Sequence, residues 1–176
     1  RKAVARVPRE EVRGALEHIE APWRFGYVSG AEEMKGCIFC AALGGGERTL
    51  TFAEGRLAFA LLNRYPYTSG HAMVAPRAHT ADFDRLPGDT LAEMMDLTQR
   101  IVRALRALYT PHAFNVGFNL GEPAGAGVAD HLHLHVVPRW RGDTSFMTTV
   151  SDTRVLPETL ATTWARLRGE LRGSGE

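Results

Sequence analysis

Residues 131–137 read His131-Leu132-His133-Leu134-His135-Val136-Val137, with Pro138-Arg139 after them. Side chains at i, i+2 and i+4 of a strand point the same way. As a strand, this stretch sets three imidazoles on one face and three aliphatic groups on the other. A helix would scatter both sets around its axis. Histidine titrates near neutrality and can attack, move a proton or bind metal. Attack on phosphorus needs a neutral ring with a lone pair on one nitrogen and a fixed acceptor for the hydrogen on the other. A neighbouring imidazole can donate to a phosphate oxygen or a leaving group. Three histidines also suit zinc, so the run alone leaves nucleophilic chemistry and a metal centre both open.

Working outward, residues 114–120 alternate as well. Phe114, Val116, Phe118 and Leu120 share one face, and Asn115, Gly117 and Asn119 share the other. The loop from Gly121 to Asp130 is short enough to make this strand an antiparallel neighbour of the histidine strand. Further upstream, residues 49–52 and 57–62 read as strands around a Glu54-Gly55 turn, and residues 71–75 as a strand closed by Pro76. The clearest helix runs over residues 90–109. Leu91, Met94, Met95, Ile101, Val102, Leu105 and Leu108 recur at helical spacing. Thr90 with Glu93 suggests a capping box. A second helix is expected from near Pro157, with Leu160, Trp164, Leu167 and Leu171 as its apolar stripe. Hairpins with separate helices point to an α+β domain, not a doubly wound one.

The chain has 176 residues, 44% of them hydrophobic and 23% charged, with a formal net charge of +1. That suits one globular domain and excludes disordered and fibrous classes. The near-neutral balance gives no footprint for nucleic acid, though a small phosphorylated ligand remains compatible. No apolar run is long enough to span a membrane. Two cysteines are too few for a disulfide framework and suggest a reducing, cytoplasmic setting. Residues 1–36 are poorly periodic and read as an N-terminal arm before a single domain at 37–176.

Cys37 and Cys40 have zinc-ligand spacing, but a tetrahedral site needs two more ligands. His79 and His131 are the candidates. The alternative is a pair of reduced core cysteines. A thioredoxin-like role is disfavoured, because no strand-to-helix context surrounds the pair.

These residues resemble the histidine-triad family, whose signature is three histidines alternating with hydrophobic residues and followed by two more hydrophobics. Asn63-Arg64-Tyr65-Pro66 with Gly70-His71 is similar to the family's nucleotide-pocket segment. Ala21-Pro22-Trp23-Arg24, Cys37-Ile38-Phe39-Cys40 and the stretch from Trp140 to Met147 resemble the diadenosine tetraphosphate phosphorylase and Fhit-like branch. The resemblance spans about residues 21–172.

It implies an antiparallel sheet of about five strands with a long central helix and a C-terminal helix, paired into a homodimer. It implies that His133 attacks the α-phosphorus of a nucleotide and that His135 contacts phosphate and helps the leaving group. His131 would orient the site or bind zinc, and the Cys-Cys-His-His set would be structural. Asn63 would bond the ribose hydroxyls, and His71 would stand beside the triad. Asn119 and the backbone of Gly125, Ala126 and Gly127 would face the phosphates. Two physical points agree: an asparagine amide donates two hydrogens, and glycines let backbone N–H groups approach an anion. Trp140 would flank the nucleotide or the dimer partner, although an isolated tryptophan is more often packing. Magnesium would accompany the polyphosphate substrate.

The implied activity is nucleotidyl transfer on dinucleoside polyphosphates through a nucleotidyl-histidine. The loop at 121–128 lacks the glutamines of Fhit hydrolases and the serine of some bacterial phosphorylases. Water or phosphate therefore both stand as the acceptor, with phosphate favoured by the stretch from Trp140 to Met147. Two rivals are a Hint-type nucleoside phosphoramidate or adenylyl-lysine hydrolase, and a zinc-bearing nucleotide-binding module without turnover.

Overall fold

Short alternating segments and one long amphipathic segment decide the architecture. The computed structural model describes residues 36–45, 47–143 and 156–173. The expected arm and the Ala21 to Arg24 motif fall outside these residues, as do residues 144–147. A short helix α1 (Ile38–Ala42) leads into β1 (Thr51–Glu54), β2 (Ala58–Leu62) and β3 (Ala72–Pro76). The long helix α2 (Gly88–Tyr109), β4 (Ala113–Phe118), β5 (Leu134–Arg139) and the C-terminal helix α3 (Leu160–Gly173) follow. The five strands form one antiparallel sheet in the order β1-β2-β3-β5-β4. The expected α+β class and strand count both hold.

The sheet has two unlike faces. Phe52, Ala60, Leu62, Val74, Leu134 and Val136 meet Met94, Ile101, Leu105 and Leu167 of the two long helices in the main core. The other face buries Phe59, Leu61, Met73 and Ala75 under Phe39 of α1. Met73 lies directly opposite His135 across the β3–β5 pairing. Cross-strand partners share a face, so the histidines stand on the α1 side and the long helices cover the reverse.

Several details differ from expectation. Met94 is fully buried, whereas Met95 is 41% exposed. Adjacent helical residues are about 100° apart around the axis, so both cannot enter the core. The histidine strand begins at Leu134 instead of His131. Pro76 has no N–H with which to extend the ladder, its carbonyl accepts from His131 Nε2 at 2.9 Å, and the Leu132 amide donates to the Thr80 carbonyl. Helix α3 starts after Pro157. Thr159 Oγ1 accepts from the Thr162 amide at 3.2 Å, in the manner of an N-cap.

The expected capping box at Thr90 is absent. Helix α2 begins earlier, at Gly88, and Glu93 turns to the sheet instead. Its Oε1 accepts from the amides of Leu57 and Ala58 at 2.8 and 3.1 Å. The carboxylate thereby fastens the long helix to the β1–β2 hairpin. Glu93→Ala should cost about 1–3 kcal/mol, because both half-buried amides lose a charged acceptor. Urea unfolding would measure it, and an unchanged midpoint would contradict this role.

Candidate active site and metal cluster

Two clusters meet at His131. In the first, Cys37 precedes α1 and Cys40 lies one helical turn later, so their sulfurs fall on the same side. Cys37 Sγ is 3.2 Å from His131 Nδ1, and Cys40 Sγ is 3.3 Å from His79 Nδ1. Cys40 Sγ to His131 Nδ1 is 3.7 Å. All four ligand atoms lie within 4.8 Å of one another. A tetrahedral zinc, with bonds of about 2.3 Å to sulfur and 2.0–2.1 Å to nitrogen, gives ligand–ligand edges of roughly 3.3–3.8 Å. The donor set therefore fits a tetrahedral ion by chemistry, and the three distances of 3.2, 3.3 and 3.7 Å lie near those edges, while the full spread of up to 4.8 Å would draw in around an ion.

The surroundings agree. His131 Nε2 gives its hydrogen to the Pro76 carbonyl, which leaves the Nδ1 lone pair toward the thiols. His79 Nε2 stands 3.6 Å from a carboxylate oxygen of Asp130. Metal-binding histidines commonly hold a carbonyl or carboxylate on the far nitrogen, which fixes tautomer and ring orientation. Burial pushes the His131 pKa down, partly opposed by the Pro76 hydrogen bond. Desolvation and the adjacent Cys37 push the Cys40 thiol up. A bound cation reverses that bias by favouring the thiolate.

The second cluster is the pair His133 and His135, with ring centroids 4.9 Å apart. His133 is buried and stacks on Phe39 at 4.8 Å. Its Nδ1 lies 2.8 Å from the His131 carbonyl, which can only accept. The ring hydrogen is therefore on Nδ1 and the lone pair on Nε2. Burial also pushes the His133 pKa down and so favours the neutral ring, partly opposed by that hydrogen bond.

His135 is wired in the opposite sense. The Tyr67 amide donates to His71 Nδ1 at 3.1 Å, so His71 carries its hydrogen on Nε2. His71 Nε2 is 2.9 Å from His135 Nδ1 and donates to it. His135 therefore keeps its own hydrogen on Nε2. The chain from Tyr67 through His71 leaves a donor nitrogen on His135 beside a lone-pair nitrogen on His133. His71 is fully buried and stacks on Tyr67 at 4.6 Å. Gly70 makes this approach possible: its φ is +78°, and a Cβ there would lie 2.6 Å from Leu105 Cδ2.

The remaining expected residues fall at varied places. The Asn63 amide donates to the His71 carbonyl, joining it to the histidine cluster through the backbone, and Asn63 Oδ1 accepts from the Tyr65 amide. Asn119 Nδ2 donates to the Gly125 carbonyl at 3.4 Å. The Gly125 and Ala126 amides close the turn at Glu122–Ala124 by bonding to the carbonyls of Glu122 and Gly121. Trp140 Nε1 donates to the Tyr109 carbonyl, which draws the indole to the end of α2. Arg139 grips Asp143 through Nε and Nη2 and Asn115 through Nη1.

Sequence reasoning missed Phe39, the platform under His133, and Tyr67, whose amide begins the relay. It also missed Asp130 behind His79. Phe39 lies between the two cysteines and Tyr67 just after Pro66, so both were adjacent to recognised motifs. A backbone N–H, however, leaves no mark on residue identity.

A family model described as HIT domain matches residues 47–142, more than half of the chain. The AP-4-A phosphorylase of Mycobacterium tuberculosis is 44% identical over an aligned length of 127, a match that covers 68% of this chain and 65% of that protein. The chain thus spans slightly less than two thirds of that relative. The adenosine 5'-monophosphoramidase of Schizosaccharomyces pombe is 33% identical over 103 residues, covering 58% of this chain and 74% of the relative. Among solved structures, a Zn-bound histidine triad family protein from Mycobacterium smegmatis superposes with a TM-score of 0.64 at 34% identity. That likeness covers 78% of this chain and 94% of the neighbour. With the matched span holding all five strands and the whole histidine run, the chain belongs to the HIT domain family.

Proposed function

We propose that this chain transfers nucleotidyl groups from dinucleoside polyphosphates, diadenosine tetraphosphate foremost, through a nucleotidyl-His133. The opposed wiring of His133 and His135 carries the reading: one nitrogen holds a lone pair and its neighbour a hydrogen. The 44% identity to a protein named AP-4-A phosphorylase supports the substrate class.

In the first step His133 Nε2 attacks the α-phosphorus. A P–N bond forms as the P–O bond to the leaving polyphosphate breaks, and His135 Nε2–H donates to the departing oxygen. The products are adenylyl-His133 and ATP. In the second step phosphate attacks the same phosphorus, the P–N bond breaks, and ADP leaves. Water in that place gives AMP. Asn63 holds the ribose. Asn119, with one hydrogen on Gly125, offers its second to phosphate, while Gly125 to Gly127 set the loop's close approach. Trp140 acts by packing against the end of α2. Magnesium travels with the substrate's polyphosphate.

We assign the cluster of Cys37, Cys40, His79 and His131 to a structural zinc. All four positions come from protein, so the ion ties α1 to the lead-in of β5 and leaves none of its coordination for substrate. Thiolate ligands suit a reducing compartment, in keeping with a cytoplasmic protein. No helix among the described residues is long and apolar enough to cross a membrane.

We further propose a homodimer joined through β4. Among the described residues that strand is a sheet edge, and Val116 on it and Leu120 just beyond it are 45% and 52% exposed. An unpaired edge with apolar side chains invites a second strand.

Three measurements test these assignments. Incubation with diadenosine tetraphosphate should release ATP, with ADP only when phosphate is present. AMP without phosphate would make the chain a hydrolase. His133→Asn should lower turnover by about 10⁴-fold or more while the fold persists, and an active variant would remove the nucleophile assignment. Adenosine 5'-phosphoramidate, run in parallel, decides the phosphoramidase alternative that the Schizosaccharomyces pombe relative favours. Binding without turnover on either substrate would leave a nucleotide-binding module.

Native mass spectrometry under reducing conditions should find one zinc per chain. Cys37→Ser should lose it, and Asp130→Asn should weaken its retention about 10–100-fold. Metal-free protein with unaltered thermal stability would refute a structural ion. Light scattering should give twice the chain mass, and Val116→Lys should shift the protein toward monomer; a monomeric wild type rejects the β4 interface.

A further inference from the structure

The reverse face of the sheet carries a second polar site, near its opposite edge. A cleft of about 260 Å³ opens where β1 meets the two long helices. Phe52 and Leu171 contribute apolar walls, and Arg100, Arg168 and Arg172 line it together with Glu54. Arg100 comes from α2, and the other two come from successive turns of α3. The histidines lie on the α1 side of β5, across the sheet.

No carboxylate among the described residues lies within 4.0 Å of any of the three guanidinium groups, since none of them enters the ion pairs. Glu54, the one acid among the described residues lining the cleft, is held by Arg77 at 3.4 Å. Arg100 gives a single hydrogen, from Nη2, to the Leu171 carbonyl. Arg168 lies over the Trp164 ring at 4.8 Å, and that indole is fixed by its bond to the Thr51 carbonyl. Arg172 lies in the last turn of α3, where a cation complements the helix dipole. That explains one arginine, not the convergence of three from two helices. Arg100 and Arg168 are half-buried and Arg172 is exposed, and partly desolvated like charges on one cleft favour a counter-charge between them.

We propose that Arg100, Arg168 and Arg172 form an anion site for a phosphate or diphosphate group, separate from the histidine cluster. Guanidinium forks match phosphate oxygens in pairs, and each has five N–H donors. The volume sets the ligand size. It lies just below the range of roughly 300–1,000 Å³ typical of pockets that enclose drug-sized molecules. The cleft therefore admits a phosphate or diphosphate group but not a whole dinucleoside polyphosphate. Such a group arrives either as inorganic diphosphate or as the tail of a nucleotide whose base stays outside.

The test is titration of the full chain with inorganic diphosphate, followed through the Trp164 indole N–H in ¹H–¹⁵N spectra. That proton adjoins Arg168 and lies across the sheet from the histidines. A saturable shift is expected, weakening as salt is raised. Arg168→Gln with Arg172→Gln should weaken the affinity at least tenfold and leave turnover at the histidines unchanged. Arg172→Glu alone should also weaken it. This substitution removes no hydrogen bond or ion pair among the described residues, so it keeps the fold if the double variant does not. ADP provides the second arm. Affinity equal to diphosphate means that phosphate alone is recognised, and tighter binding means that the nucleotide is the source. No saturable shift at millimolar diphosphate, or equal affinity in the arginine variants, would overturn the site.

Discussion

His131 is the residue on which both clusters depend. Its Nδ1 faces the cysteine sulfurs, its Nε2 donates to the Pro76 carbonyl, and its own carbonyl accepts from His133. A single residue thus fixes the approach of α1, the end of β3 and the tautomer of the proposed nucleophile. It is fully buried, so each of its polar atoms needs a partner. Moving the ring would leave the Pro76 carbonyl without its bond and shift the main chain that orients His133. A zinc held by this cluster would act through geometry, by fixing the start of β5, and would offer no coordination position to a substrate.

The two-residue period of a strand made much of this legible. Leu134 and Val136 enter the helix-side core because His133 and His135 take the other face, and both consequences follow from one alternation. The same logic located β2, β3 and β4 closely. The quartet was legible because the chain's two cysteines stand at zinc-ligand spacing, which left two further ligands to be sought among its histidines. Capping was less so. Thr90 and Glu93 have the spacing of a capping box, but Glu93 finds two amides on the β1–β2 hairpin, a partner distant in sequence. Local spacing cannot reveal a competing tertiary acceptor. Trp140 is a similar case: its spacing from the histidine run says nothing of the Tyr109 carbonyl to which its indole N–H donates.

The tautomer relay is the part least accessible to sequence reading. It starts at a backbone N–H, that of Tyr67, which any residue but proline would supply. What the sequence does constrain is the path of the chain there. Gly70, at positive φ against Leu105, lets the turn after Tyr67 close tightly enough to set His71 under His135. The placement of hydrogen on His71 and His135 is thus determined by a loop conformation, whereas His133 takes its own from the His131 carbonyl.

Neutral imidazoles are central to that arrangement. A protonated His133 would have no lone pair for phosphorus, and a protonated His135 would need an acceptor where His71 Nε2 donates. Burial of His133 against Phe39 disfavours its charged form, and the His131 carbonyl then selects which nitrogen holds the remaining hydrogen. Desolvation supplies the charge state and directed hydrogen bonds supply the tautomer. Neither alone would suffice: a buried ring without the carbonyl could present the wrong nitrogen, and an exposed ring with it would be protonated for part of the time. The apolar platform and the polar relay must therefore act on the same pair of rings, and placing α1 and the turn at residues 67–71 on one side of the sheet accomplishes this.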